Sequence, residues 1–261
     1  MNFKIVRFVF IVISALLAIF VFKKNIPIAY FFIPLVLYNL LLVLGAIFIQ
    51  WNFYIKSINS VSTFKHFMDL DESKKNICLT FDDGIHTNNT PLTLDILKRY
   101  QINAHFFIIG KNIQGNENIL KRMHDEGHSI GNHSFGHTWK FDLQSTKSMQ
   151  LEIEATNQLI KATIGEAPVL FRPPYGVTNP NLARAIKNTN MLSMGWNLRS
   201  FDTVAKSADQ LLKKLIDNTK PNTLILLHER CDLTVEVLTE YIEYCLLEGY
   251  TFVTLKINHE V

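Results

Sequence analysis

Cysteine is scarce in this 261-residue chain. The three present, Cys78, Cys231 and Cys245, form no C-x-x-C pair and leave an odd thiol, which argues against a disulfide framework or a structural zinc ribbon. Such a pattern fits isolated, buried thiols and says nothing firm of redox compartment. A large excess of basic charge is also lacking. Lys and Arg number 26 against 23 Asp and Glu, a net charge of +3, which excludes a nucleic-acid binder driven by bulk charge. No internal repeat and no low-complexity stretch occurs. With 48% hydrophobic and 19% charged residues the chain is not a disordered one, and its length accommodates one sizeable domain plus an extra module.

Charge is absent where the apolar residues concentrate. Ile5–Phe22 carries only Arg7, Lys23 and Lys24 follow, and Ile26–Ile49 carries no charge at all. A bilayer core needs about 20 apolar residues. The second run is long enough; the first is near the lower limit, with Arg7 able to snorkel to the headgroups. These runs predict an N-terminal two-helix transmembrane hairpin over residues 1–55, turned at Lys23-Lys24-Asn25, with Trp51 and Tyr54 at one water boundary. Pro27 falls near the start of the second helix, and Pro34 would kink it, which membrane helices tolerate. A cleaved signal peptide is the rival reading: the basic flank of Lys4 and Arg7 suits it, but no convincing small-x-small cleavage site follows. A buried helical pair in a soluble core is disfavoured, because neither segment has a polar face. Lys4, Arg7 and the α-amine favour a cytoplasmic N-terminus whereas Lys23 and Lys24 favour a cytoplasmic turn, so the positive-inside rule leaves the orientation open.

Residues 56–75 are polar and mixed and read as a juxtamembrane linker; residues 76–261 read as the main domain. There, short apolar runs alternate with longer amphipathic ones. Strands are expected at Ile77–Phe81, Ala104–Ile109, His128–Asn132, Val169–Phe171, Leu192–Trp196, Leu224–Leu227 and Phe252–Leu255. Helices are expected at Pro91–Tyr100, Asn116–Glu126, Thr146–Ile164, Asn179–Lys187, Ala208–Asn218 and Val235–Leu247, with Gly127, Gly165 and Gly249 as caps just past three of them. This alternation means a parallel sheet with crossovers, either a barrel or doubly wound.

In such folds reactive side chains sit at the C-terminal ends of strands, and five polar clusters take that position. Asp82 and Asp83 beside Gly84 place two like charges together, a cost that a bound cation would relieve; a solvated Asp-Gly turn is the plainer explanation. His133 and His137, four apart, can face one cation if the segment makes a helical turn. Arg172-Pro173-Pro174-Tyr175-Gly176 is a rigid way to hold one Arg and aim a backbone N–H. Arg199 and Asp202 follow Trp196, and His228 ends an apolar strand. Alone, each of these last three has an ordinary structural explanation. His124-Asp125-Glu126-Gly127-His128 superficially looks like a zinc-protease helix, but its spacing and order are wrong and Gly127 ends the helix. His124 reads as a surface residue and His128 as a structural one.

With these residues in this order, the sequence resembles the polysaccharide deacetylase family, carbohydrate esterase family 4, with its NodB homology domain. Thr80–Gly84, His133–His137 and Arg172–Gly176 match the first three motifs, Leu226 with His228 the fifth, and Gly249–Leu255 the family's ending; the resemblance covers roughly Lys75–Leu255. It implies an α/β fold, a distorted (β/α) barrel of the NodB-homology type with fewer than eight strands. It also implies a hydrolase acting on carbon-nitrogen bonds other than peptide bonds, in linear amides: the metal-dependent removal of N-acetyl groups from amino sugars. The family's metal ligands fall on Asp83, His133 and His137, its catalytic base on Asp82 and its catalytic acid on His228. Arg172 and Asp202 fall on the residues that tune base and acid, and the Tyr175 backbone N–H on the oxyanion donor. A divalent metal is implied; zinc suits the ligand set, as would cobalt or nickel. One departure concerns the fourth motif, where many members have Asp at Arg199 and Trp at Thr203. Asp202 is kept, but the hydrophobic wall that the Trp supplies is in question.

The expected partner is an N-acetylated glycan of the cell envelope or exterior, or alternatively a lipid-linked sugar losing acetyl or formyl; a membrane is expected, and no nucleic acid. A third reading, an inactive membrane-tethered glycan-binding protein, is opposed by the presence of Asp82, Asp83, His133, His137 and His228. The expected location is the cell membrane, multi-pass with two helices, the catalytic domain extracytoplasmic and Lys23-Lys24 inside. The sequons at Asn88 and Asn132 read as chance.

Overall fold

The computed structural model describes residues 3–24, 27, 29–255 and 257. The two apolar runs form helices α1 (Phe3–Lys24) and α2 (Ala29–Ile47), the latter containing Pro34. They lie side by side, the rings of Phe10 and Tyr38 stacking at 4.1 Å. The turn expected at Lys23-Lys24-Asn25 falls partly outside the described residues. Of the two helices, only α1 is long and apolar enough to cross a membrane, over Phe3–Val21; the apolar stretch of α2, Phe32–Ile47, is shorter. Two spans were expected; among the described residues one helix has the length and composition of a span. Past α2, a short turn at Ile49–Trp51 leads into Phe53 and Ile55, which are buried. Trp51 is exposed and stacks on Phe48, as an interfacial aromatic would, whereas the Tyr54 hydroxyl turns back to donate to Leu42 O at 3.2 Å.

The rest of the chain alternates strand and helix. In order come β1 (Ser57–Ile58), β2 (Lys75–Gly84), α3 (Asn89–Arg99), β3 (His105–Ile108), α4 (Glu117–Asp125), β4 (Ser129–Asn132) and α5 (Thr146–Ile164). Then follow β5 (Leu170–Phe171), α6 (Pro180–Asn188), β6 (Leu192–Met194), β7 (Leu198–Arg199), α7 (Ala208–Asn218), β8 (Leu224–His228), α8 (Asp232–Leu247) and β9 (Tyr250–Phe252). All the pairings are parallel, in the order β1-β6-β5-β4-β3-β2-β8-β7, with β9 added to β2. Only residues 195–197 separate β6 from β7. A segment that short spans only about 10 Å, so the two ends of the sheet lie close together and the sheet curls round on itself. The result is a curled parallel half-barrel with helices outside, and its C-terminal strand ends share one rim.

The central strands bury both faces, which is why they read as unbroken apolar runs. Leu79, Phe81, Phe106, Ile225 and Leu227 are essentially inaccessible, and the Phe81 and Phe106 rings stack at 5.1 Å. Each such side chain contributes about 1.5–3 kcal/mol by leaving water. The helices start where polar side chains cap them. Ser145 accepts from Ser148 N at 3.1 Å, Asn179 from Leu182 N at 2.9 Å and Ser207 from Gln210 N at 3.2 Å. Gly165 ends α5 at φ 86°, in the left-handed region where a Cβ is penalised.

The stretch read as a linker is instead part of the domain. β1 pairs with β6, and Ile58, Val61, Phe64 and Leu70 are buried against Phe107, Leu170 and Met194. Its polar composition hid four apolar side chains spaced too irregularly to give a period. β1 and β7, two residues each, were not expected for the same reason: nothing so short alternates.

Candidate active site

β2 delivers Asp82 and Asp83 to the rim. In a regular strand neighbouring side chains point to opposite faces. Here the register slips between Phe81 and Gly84, and Asp83 adopts φ 68°. The irregularity brings both carboxylates to one imidazole: His133 Nε2 lies 3.7 Å from Asp82 Oδ2 and 3.6 Å from Asp83 Oδ1.

The two histidines converge without the expected helical turn. Residues 133–137 form an irregular loop in which Ser134 (φ 65°) and His137 (φ 47°) are left-handed. Side chains brace it from within: Asn132 Oδ1 accepts from Ser134 N at 2.8 Å, and Ser134 Oγ accepts from His137 N at 3.1 Å. Asn132 is itself buried, its amide donating to Ile153 O and Asn157 Oδ1, which bars its use as a glycosylation sequon. His133 Nδ1 pairs with Arg172 O at 2.7 Å. A carbonyl only accepts, so Nδ1 is the donor there and Nε2 is the ring atom turned to the cleft. His137 Nε2 lies 3.3 Å from Asp83 Oδ1.

Asp83, His133 and His137 offer donors all within 4.8 Å of one another. A tetrahedral ion with bonds of about 2.0–2.1 Å wants donors about 3.4 Å apart, close to the 3.6 and 3.3 Å from Asp83 Oδ1 to the two imidazoles. The protonation states suit a cation as well. Burial, then the neighbouring His133, pushes His137 down to about 4 against the opposing pull of Asp83 and Asp82, so the ring is neutral at pH 7. Burial raises Asp83, but the nearby His133 and His137, a hydrogen bond from Arg230 and the charge of His228 outweigh it, and the carboxyl sits below its ordinary range. Arg230 was not foreseen. Its Nε donates to Asp83 Oδ2 at 2.7 Å, leaving Oδ1 to the histidines; its place two residues past His228 was the only hint.

Arg172, at the end of β5, is 0% exposed. Its Nη1 donates to Thr80 Oγ1 and Asp82 Oδ1, both at 2.7 Å, its Nη2 to Gly195 O at 2.7 Å and its Nε to Met194 O at 3.2 Å. The guanidinium lies 4.1 Å from the Phe107 ring centroid. Burial lowers its pKa and the Asp82 charge opposes that; the buried guanidinium makes four hydrogen bonds, one of them to Asp82 Oδ1. Beyond it Tyr175 takes φ 55° and Gly176 φ 72°, and a Cβ on Gly176 would meet Trp196 at 2.2 Å. The Tyr175 ring packs at 4.7 Å on that of His137.

His228 ends β8 directly opposite Asp82 in register. Its Nδ1 bonds Asp202 Oδ1 at 2.8 Å, while Asp202 Oδ2 accepts from His228 N and from Thr234 Oγ1, both at 2.7 Å. Burial lowers the imidazole pKa, but the Asp202 hydrogen bond and charge, with Asp82 and Asp83, outweigh it, and the net shift is upward. Arg199, in β7, lies over the exposed Phe201 ring at 4.9 Å, and Thr203 is exposed. Neither belongs to the charged cluster. His128 is buried, its Nδ1 accepting from Ala104 N at 3.2 Å, and His124 lies partly exposed in α4, so both stand outside the site. Glu229, also unforeseen, is buried beneath Gly84, where it accepts from Thr90 Oγ1, and burial pushes it up to about 8.

Several known proteins resemble this chain. The model of the polysaccharide deacetylase family matches residues 69–193. Asp202 and His228 lie beyond that match. A peptidoglycan-N-acetylglucosamine deacetylase of Bacillus cereus is 32% identical over 187 residues, 70% of this chain and 68% of that protein. The peptidoglycan-N-acetylglucosamine deacetylase PgdA of Listeria monocytogenes is 32% identical over 184 residues, 70% of this chain but only 39% of its own length. Among solved structures, peptidoglycan deacetylase PdaC of Bacillus subtilis superposes with a TM-score of 0.67 at 31% identity, covering 71% of this chain and 90% of that one.

Proposed function

Because this chain belongs to the polysaccharide deacetylase family, we propose that it is a metal-dependent hydrolase that removes N-acetyl groups from amino sugars of a cell-envelope glycan. The relatives named above act on peptidoglycan, which makes peptidoglycan the first substrate to try. The observation that carries this reading is the meeting of Asp82, Asp83, His133 and His137 within a few ångströms, with His228 across from Asp82.

Asp83, His133 and His137 would hold a divalent ion, zinc by the nature of the set, which when bound supplies Lewis-acid activation of water and of the acetamide carbonyl. Asp82, its Oδ1 engaged by Arg172, directs Oδ2 to the same place and accepts the proton of the attacking water. The Tyr175 N–H donates to the oxyanion, from a backbone conformation fixed by Gly176 against Trp196. His228, whose pKa the Asp202 hydrogen bond and charge raise, gives its proton to the departing amine nitrogen. Acetate and a free amino sugar leave.

The helical pair α1 and α2 serves as a membrane anchor, α1 spanning and α2 packed against it, with the catalytic domain outside the cytoplasmic membrane. The domain itself begins before β1, with Ile49 and Ile55 already in its core, rather than at residue 76. The decisive experiment strips the purified protein with a chelator and titrates zinc back while following acetate release from N-acetylated peptidoglycan fragments. Activity should return in proportion to bound metal at one ion per chain; full activity of the stripped protein would end this reading.

A further inference from the structure

The helical pair is seated in the domain. Ile49 is 1% exposed and packs on Trp196 and Leu226. Thr178 donates its backbone N–H to Ala46 O at 2.9 Å, and Phe53 fills the space left by Gly45, where a Cβ would meet its ring at 2.3 Å. Phe3 N donates to Phe53 O at 3.1 Å, so the start of α1 is held at the same place as the end of α2. Trp196 follows β6 and Thr178 follows β5. These contacts therefore lie at the C-terminal ends of the strands, the end that carries Asp82, His133 and His228.

The loops at that end expose large apolar side chains. Trp139 is 70% exposed and Leu143 78%, just past His137, and Val204 is 70% exposed just past Asp202. Phe141, between the first two, is buried with Ile55, so its neighbours project from an anchored loop. The same loop is tied towards the helical pair: Asp142 O accepts from Asn179 Nδ2 at 3.0 Å, one residue from Thr178. Basic groups alternate with the apolar tips. Lys140 Nζ lies 5.2 Å over the Trp139 ring, and Lys111 reaches Gly136 O at 2.9 Å. Tryptophan and lysine side by side suit the headgroup layer, where an amphipathic ring and a cation are both satisfied.

We infer that this rim rests on the bilayer in which α1 is inserted, with Trp139, Leu143 and Val204 in the headgroup layer and the cleft opening at membrane level, onto amino sugars carried at the membrane surface. This rests on the reading of α1 as an anchor. The test uses the full chain in vesicles of phosphatidylcholine and phosphatidylglycerol whose acyl chains are brominated, with tryptophan emission recorded for the wild type, Trp139→Phe and Trp51→Phe. Each variant should lose a quenched component. If Trp51→Phe loses one and Trp139→Phe does not, the rim stands clear of the bilayer and the inference falls while the anchor remains. If neither does, anchor and inference fall together. A second arm combines Trp139→Ser with Leu143→Ser. The rate on a glycan carried by a vesicle lipid should fall about tenfold, with the rate on a soluble oligosaccharide unchanged. Equal losses on both would make the rim a sugar-stacking surface and overturn the inference, as would no loss on either.

Discussion

On the β2–β4–β5 side of the cleft three charged or polar side chains are tied down: Arg172 makes four hydrogen bonds with no exposure, His133 is fixed by Arg172 O, and Asp83 is held by Arg230. On the β7–β8 side Asp202, His228 and Thr234 form such a cluster, and around them Phe201, Thr203 and Val204 are exposed. In the proposed mechanism the first wall fixes the atoms that would meet a cation and a proton, where small displacements cost most. The second fixes the proposed proton donor, His228, and leaves the side chains around it exposed. Motif departures at Arg199 and Thr203 fall on the variable surface, which is why they leave the charged cluster intact.

Substitutions on each side should separate the two. Asp82→Asn should lower kcat/KM about 100- to 10,000-fold with bound zinc still near one ion per chain, as read by metal analysis and acetate release. Arg172→Leu leaves the Asp82 charge buried without its partner, and denaturant unfolding should show a loss of about 3–5 kcal/mol. Arg230→Gln removes the donor that orients Asp83, so competition with a chelator should show zinc affinity about 10- to 100-fold weaker.

Asp202→Asn acts on pH dependence. His228 is the proton donor below its folded pKa, which Asp202 raises, so activity falls as pH climbs through that value. Without Asp202, burial dominates and the alkaline limb of the kcat profile should move to lower pH; an unmoved limb would assign it to another group. The same interaction adds stability that is fully present below the unfolded histidine pKa and is lost as pH rises through the folded one. Thr203→Trp should do least: stability should stay within about 0.5 kcal/mol, with any change confined to KM for longer oligosaccharides.

Most of the scaffold was legible in the sequence because its signals are strong. The buried central strands are continuous apolar runs, and Thr146–Ile164 and Ala208–Asn218 occur with the bounds their periodicity and flanking residues imply. Asp82, Asp83, His133, His137, Arg172 and His228 were legible as a set through their order at strand ends. What the sequence concealed was local backbone geometry and long-range packing. The slip at Asp83 and the left-handed Ser134 and His137 depend on bonds to neighbours rather than on propensity. Arg230 and Glu229 matter only because β8 lies beside β2.

The burial of Ile49 against Trp196 bears on how this protein can be handled. A soluble fragment cut at the apparent linker, beginning at Lys56, would lack Ile49, Phe53 and Ile55. It would uncover the indole that presses on Gly176, at a cost of about 2–5 kcal/mol for each large core side chain lost. Fragments for crystallisation or assay should therefore begin before Phe48, and a poorly active shorter fragment would report a broken seat rather than a dead enzyme.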